Sequence, residues 1–340
     1  MEIRFATTED TKDILDFIEQ HWNAEHIFVK CPQLFEECHQ EKNGVLNYVI
    51  AKDENKVFGI CGFLYANHSE HPDIWLALWK VIPSKYPGLG LAIVKFLKKE
   101  TMCRILCCNG IKKEVKRLYE FMGFATGRLR HYYRLADKSV YTIPQIRDKK
   151  IIALTPSTEY RLNEVHSKVE FLDLAGEECF HKMKPYKDKD YIIKKYFENI
   201  AYTYKIWGCS SDIHVTMWVF AREIHVNGMK ILRIVDILGD RNQLAFIGCE
   251  IQKIMDKEQY EYIDFYQYGI SDEIMLQMGF VERMEDDTNV IPNYFEPFIS
   301  ENIELYFFTN TLENFYVFKG DGDQERTNVI PLNLQKENEK

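Results

Sequence analysis

The chain has 340 residues, a formal net charge of −9, 46% hydrophobic and 28% charged residues, which is the composition of a folded globular protein with material for two domains. The acidic balance argues against nucleic acid as the main partner, because affinity there comes largely from Lys and Arg on phosphates. The nine Cys form no C-x-x-C pair, the opening Met1-Glu2-Ile3-Arg4-Phe5 lacks a basic-then-apolar leader, and the chain holds no apolar run of the roughly 18 residues a membrane span needs, so reduced thiols, a cytoplasmic location and no membrane association are expected.

In chain order, residues 2–6 read as a strand, and Thr7-Thr8-Glu9-Asp10 opens a helix with Thr7 as N-cap and an apolar face of Ile14, Leu15, Phe17, Ile18 and Trp22. The runs 45–51 and 56–66, joined by Asp53-Glu54-Asn55, read as a hairpin, and Ile74 to Val81 as a buried central strand. A glycine turn follows, then a helix through 91–99, a strand at 104–108, a helix from Lys112 to Met122 stopped at Gly123-Phe124, and a strand at 128–135. Residues 137–160 are mixed and interrupted by Pro144 and Pro156, and read as a linker.

The second half repeats this order. Met229 to Leu238 compares with 74–81, Leu244 to Met255 with 90–99, Tyr260 to Tyr266 with 104–108, and Ser271 to Phe280 ends in the same Met-Gly-Phe as Met122-Gly123-Phe124. The stretch 194–206, with Tyr191, Tyr196, Phe197, Tyr202 and Tyr204 around it, reads as a helix that lines the core or a cleft.

The turn Lys85-Tyr86-Pro87-Gly88-Leu89-Gly90 lies between a strand and a helix. Amides at a helix start lack internal partners and sit at the positive end of the dipole, so such a turn can cradle a phosphate. It is not a P-loop, since no Gly-Lys-Ser/Thr follows, and it lacks the third Gly of a dinucleotide fingerprint. Lys85-x-x-Gly88-x-Gly90 after an antiparallel strand set, with Leu118-Tyr119-Glu120-Phe121-Met122-Gly123-Phe124 further on, resembles the GNAT (Gcn5-related N-acetyltransferase) superfamily. The opening Ile3 to Asp10 is similar to that family's first strand and helix. Lys85 stands where the family has Arg or Gln, and Lys112 where many members have Asn.

The resemblance implies an α/β (α+β) fold of two GNAT-like domains, each a mixed, mostly antiparallel sheet flanked by helices. These would be residues 1–136 with the acyl-coenzyme A site, a linker at 137–160, a degenerate copy at 161–330 on the acceptor side, and a flexible tail at 331–340. Acetyl-CoA or another acyl-CoA is the implied co-substrate, with no metal, bound by Leu78, Val81, Lys85, Gly88, Leu89, Gly90, Leu91, Lys112 and Tyr119. Backbone amides of Leu78 to Val81 would polarise the thioester, and Tyr119 would protonate the departing thiolate. The second copy has Gly239-Asp240-Arg241 at the corresponding turn, where Asp240 would repel a pyrophosphate, so one cofactor per chain is expected.

Candidates for the general base are His71, Asp73, His214, Asp236 and Asp264. The last two sit in otherwise apolar strands, where a carboxylate must be paired, with Arg233 or another cation, or face a cleft. Asp264, Tyr266, Glu296, Asp321, Asp323 and Arg326 are the candidate acceptor-binding residues; Asp321-x-Asp323 lacks the frame of a calcium loop. The segments 293–298 and 320–324 are similar to C-terminal regions of GNAT-like proteins from bacterial surface polysaccharide clusters, which implies an amino sugar or sugar nucleotide as the small-molecule amine acceptor. Two other readings stand beside N-acyl transfer: a non-catalytic acyl-CoA sensor or partner-binding module, and a transferase using aminoacylated tRNA, which the acidic balance disfavours. Oligomeric state is left open.

Overall fold

The computed structural model describes residues 1–41, 43–156, 159–211 and 214–335, so the end of the polar tail lies outside the described residues. The first half runs β1 (Glu2–Thr7), α1 (Thr11–His21), α2 (Ile27–Lys30), α3 (Pro32–His39), β2 (Val45–Asp53), β3 (Lys56–Tyr65), β4 (Asp73–Val81), α4 (Leu89–Thr101), β5 (Ile105–Ile111), α5 (Lys116–Phe121) and β6 (Ala125–Leu135). The second half runs β7 (Arg161–Val165), α6 (Lys168–Leu174), α7 (Lys189–Ile192), β8 (Lys205–Ser210), β9 (Met217–Val226), β10 (Met229–Gly239), α8 (Gly248–Glu258), β11 (Tyr262–Tyr268), α9 (Asp272–Gln277) and β12 (Val281–Arg283). The chain ends with β13 (Tyr294–Phe295), β14 (Phe298–Ile299), β15 (Leu305–Thr309), β16 (Val317–Phe318) and α10 (Leu332–Gln335).

Fourteen of the strands form one sheet in the order β1-β2-β3-β4-β5-β15-β6-β11-β10-β9-β8-β7, with β12 on β6 and β16 on β11, and β13 pairs with β14 apart from it. Each half is an antiparallel set of four strands followed by one parallel strand: β4 with β5, and β10 with β11. A helix makes each crossover, α4 in the first half and α8 in the second, as parallel pairing requires. The repeat read in the sequence is therefore a repeat of pairing order. The two halves meet along β6, whose residues 125–129 pair with β15 and 130–135 with β11. The sequence pattern places β6 as a closing strand; the structure instead inserts β15, from far down the chain, between β5 and β6.

Helices cover both faces. Ile93, Val94 and Leu97 of α4 pack on Ile74 and Leu76 of β4, while α1 to α3 bury Ile14, Ile18, Phe28 and Phe35 on the other face with Tyr48, Ile60 and Leu78. The helix expected over 194–206 is shorter: α7 passes into a π-helical turn at Ile193–Phe197 and stops. Asn199 ends it, because its side-chain oxygen accepts from the amides of Ala201 and Tyr202 and turns the chain.

The expected start of the first helix is present, with one addition. Asp10 accepts from the Thr7 amide at 2.9 Å and from Arg4 Nη1 and Nη2 at 2.7 and 2.8 Å. The Arg4 bond, ahead of the cost of burial, holds the Asp10 carboxyl down to about 2. A carboxyl depressed on folding contributes stability above its unfolded pKa of about 4 and loses it as pH falls through the folded value. Asp10→Asn is expected to lower stability at pH 7 by about 1–2 kcal/mol, after discounting for solvent around Arg4, and urea melts between pH 4 and pH 2 should show the difference from wild type closing.

Candidate active site

The sheet opens at one place. Parallel pairing of β4 with β5 runs from Asp73↔Ile105 to Leu76↔Cys108 and then stops, although both strands continue, β4 to Val81 and β5 to Ile111. A break in the β3–β4 register between Cys61 and Phe63 bends β4 away there. Facing edges of 77–81 and 109–111 are left without a partner strand, as a wedge whose backbone groups are available to a ligand.

On the α4 side the wedge is lined by Trp79 and Tyr119. Tyr119 stacks on Phe308 at 4.3 Å and lies 6.0 Å from Trp79. Burial, then the neighbouring Cys108 and Cys61 thiols, push the Tyr119 hydroxyl upward. At the mouth of the wedge α4 begins without any side-chain cap, with Gly88 at φ +76°. The first-turn amides of α4 are thus unspent. A Cβ at Gly90 would sit 3.3 Å from Trp79 Cζ2, so this position is close to full. Lys85 does not aim at this cradle: its ammonium lies 3.3 Å from Asp53, which also accepts from the Tyr86 hydroxyl.

On the other face the tail loop after β16 closes under the wedge. Asn109 of β5 donates to the carbonyls of Phe318 and Asp321, Gly322 lies against Trp75, and a Cβ at Gly110 (φ +88°) would collide with the Gln324 amide. Gln324 also borders a pocket of about 150 Å³ lined by Tyr202, Arg222, Asn293 to Glu296, Lys319, Asp323 to Arg326 and Asn328. Arg222 lies over the Tyr202 ring at 3.9 Å and bonds Glu325 at 2.5 Å; Arg326 pairs with Asp323 at 2.9 Å. Glu296 accepts from the hydroxyls of Tyr202 and Thr327 at 2.7 and 3.1 Å. Lys319 is buried, and burial lowers its ammonium to about 8 against the pull of Glu325. Gln324 thus touches both, its amide packed on Gly110 of β5 and its side bordering the pocket.

No family model matches the chain, and no curated protein matches it in sequence. Solved structures do match. A GCN5-related N-acetyltransferase from Anabaena variabilis is similar over 91% of this chain and 72% of its own, with 13% identity and a TM-score of 0.56. A protein from Enterococcus faecalis, described as a probable N-acyltransferase, is similar over 91% and 71%, with 10% identity and a TM-score of 0.54. A GCN5-related N-acetyltransferase from Kribbella flavida is similar over 91% and 70%, with 10% identity and a TM-score of 0.50. The chain has the GNAT fold. At these identities the likeness is one of fold.

Within that fold the expected site residues separate into groups. Leu78, Val81, Gly88, Leu89, Gly90, Leu91 and Tyr119 surround the wedge and its mouth. Lys112, exposed, follows β5. Glu296, Asp323 and Arg326 share the tail-loop pocket. Asp321 lies deeper: Lys187 Nζ is 2.7 Å from it and 2.5 Å from Asp236, all three fully buried, and Tyr196 donates to Asp236. Burial raises the Asp321 carboxyl to about 6, against Lys187 and helped by Asp236. Asp264 takes two bonds from Arg233, at 2.9 and 2.6 Å, and its Oδ2 is 3.0 Å from His131 Nε2. Arg283 Nε faces His131 Nδ1, which makes Nδ1 the acceptor and Nε2 the donor to Asp264. Tyr266 stacks on His131 at 3.8 Å.

Asp236 and Asp264 thus have the ion-paired arrangement, not a cleft. Asp73 is paired with Arg104 and accepts from the Tyr186 amide at the opposite end of β4, about 17 Å from Leu78 at about 3.3 Å per residue. His71 and His214 are exposed. Sequence reasoning missed Trp79, Arg222, Asn293, Lys319 and Glu325. Arg222 carries the same signal that drew notice to Asp236, a charge inside an apolar strand, and Lys319 directly follows the apolar Val317-Phe318.

Removing one partner of a fully buried pair strands the other charge. Asp264→Ala and Arg233→Met are each expected to cost about 3–5 kcal/mol in urea unfolding, and the Arg233→Met/Asp264→Leu double variant should recover most of that loss.

Proposed function

We propose that this chain is an acyl-coenzyme A dependent N-acyltransferase, with residues 1–136 forming the donor side and residues 161–330 the acceptor side. The observation that carries the reading is the end of β4–β5 pairing at Leu76↔Cys108 beside the uncapped start of α4. An extended acyl-pantetheine arm can take the place of the missing strand pairing, with its pyrophosphate on the amides of Gly88 to Leu91. Those amides, and not Lys85, supply the cradle, since the Lys85 charge is directed to Asp53.

The chemistry is direct transfer. The acceptor amine attacks the thioester carbon, the carbonyl oxygen takes hydrogen bonds from the free edge of β4 between Leu78 and Val81, and the carbon–sulfur bond breaks. Tyr119 gives its proton to the leaving sulfur. Burial keeps the Tyr119 hydroxyl protonated before the reaction, and the proton released by the attacking nitrogen as the carbon–nitrogen bond forms restores the hydroxyl, so the thiol leaves neutral and no net charge remains on Tyr119. Asp236 and Asp264, both spent on buried cations, act as structural groups in this reading. The amine approaches through the tail-loop pocket that meets the wedge at Gln324.

Acetyl-CoA titrated by calorimetry is expected to bind at one site per chain, and Gly90→Glu to abolish that heat by setting a carboxylate in the cradle against Trp79. Tyr119→Phe should lower kcat by about 10²–10⁴-fold and leave the acetyl-CoA affinity unchanged. Binding without thiol release on any amine would instead mark a sensor, and no binding by wild type would end the reading altogether.

A further inference from the structure

The pocket between the tail loop and residues 293–296 has an imbalance in its hydrogen bonding. Its three carboxylates are already engaged. Glu325 holds Arg222, Glu296 receives two hydroxyls, and Asp323 holds Arg326. Three of its buried donors lack a close partner. Lys319 Nζ, on a residue 3% exposed, has only long partners, an ion pair to Glu325 at 3.8 Å that exceeds a hydrogen bond and the Tyr294 ring at 5.8 Å. Arg326 Nε is buried without a partner. Asn293 is 2% exposed, and neither its amide nitrogen nor its amide oxygen has a partner.

Buried polar side chains are rarely left unpaired, because each then forfeits its hydration without return. The three cations and three carboxylates of the lining balance in charge, but the unspent hydrogen-bonding groups are mostly donors and the Lys319 ammonium has only a long ion pair, so a ligand that brings acceptor oxygens, and negative charge for Lys319, suits them best. We infer that this pocket binds the anionic group, carboxylate or phosphate, of the amine acceptor, with Lys319 as its counter-ion and Asn293 hydrogen-bonding to the same group. This rests on the acyltransferase reading for the identity of the ligand as an acceptor, but the pocket's preference for an anion can be measured without any donor present. Asn293 Oδ1 can receive a hydroxyl or amine proton from the same ligand, which favours a polar, polyfunctional molecule over a simple anion. Neutral amines leave Lys319 as it stands and are poor ligands.

The test uses the full chain and three compounds that share an amino-polyol frame: glucosamine, glucosamine 6-phosphate and glucosaminic acid. Titrated by calorimetry without acetyl-CoA, at least one of the two anionic compounds should bind about tenfold or more tightly than glucosamine, and which one does so separates phosphate from carboxylate. Lys319→Gln should bring the anionic-to-neutral affinity ratio towards one. Because Lys319 also neighbours Glu325, Asn293→Leu is the cleaner variant. It removes two unsatisfied polar atoms, so its thermal midpoint should hold or rise while affinity for the favoured anion falls about tenfold or more. Equal affinity for all three compounds, no heat with either anion at millimolar concentration, or a folded Asn293→Leu with unchanged affinity would each overturn the inference. A separate titration of acetyl-CoA keeps the two readings apart: anion preference without donor binding retains the pocket and removes the transferase, and the reverse result removes only the pocket.

Discussion

The insertion of β15 between β5 and β6 is the constraint on which both candidate sites depend. It gives β5 a partner on one edge, so that β5 can leave β4 on the other and continue to Ile111. It pushes β6 outward, where its second half meets β11 and joins the two halves into one sheet. It also brings the following chain back under the wedge, where Asn109 holds the carbonyls of Phe318 and Asp321. An unpaired strand edge is ordinarily a liability. Here it lies inside the molecule, between two strands each secured by its outer neighbour, which is a fixed opening and not a frayed margin.

How far the sequence could be read follows from how local each feature is. The α4 cradle needs only a strand, two glycines and a helix in consecutive residues, and the turn at 85–90 displays all of them. The repeat is likewise legible, because pairing order follows chain order through β1 to β5 and through β7 to β11. Three features escaped, for two reasons. The placement of β15, the shortening of the helix at Phe197 and the assembly of the pocket all depend on contacts across long separations or on a single side chain. Leu305–Thr309 looks like any short apolar strand, and nothing in it names β5 and β6 as neighbours. Asn199 ends a helix with one side-chain oxygen, which outweighs the aromatic spacing that predicted continuation to 206.

The charged residues of apolar strands make the same point about energetics. Asp236, Asp264 and Arg233 look alike in the sequence, each a charge between two apolar neighbours, and Arg222 closes the apolar run Met217 to Ala221. Burial cost demands a partner for each but does not say whether that partner is a side chain or a ligand. For Asp264 the register decides. Arg233 stands directly across from it on β10, and His131 comes from β6 on its other side, so all its oxygens are filled. Asp236 is filled by Tyr196, from the aromatic stretch read as core or cleft lining, and by Lys187, which nothing in the sequence marks as its partner.

The pocket differs because its surplus is of the opposite kind. In the two buried clusters each carboxylate is ion-paired with a buried cation, and the apolar packing around them closes. Around Lys319 the carboxylates are matched but the donors are not, and the packing stops at an open volume. The tail loop that carries Lys319 is itself fixed from beneath by Asp321 on Lys187 and by the Phe318 amide on Asp321. Its side chains are therefore held in place before any ligand arrives, which spares the ordering cost that a mobile loop would incur on binding. A cradle built from local sequence on the α4 side and a pocket built from distant sequence on the other meet at Gly110 and Gln324, a division that under the proposed acyltransferase reading would let one face keep a common donor while the other adapts to its own acceptor.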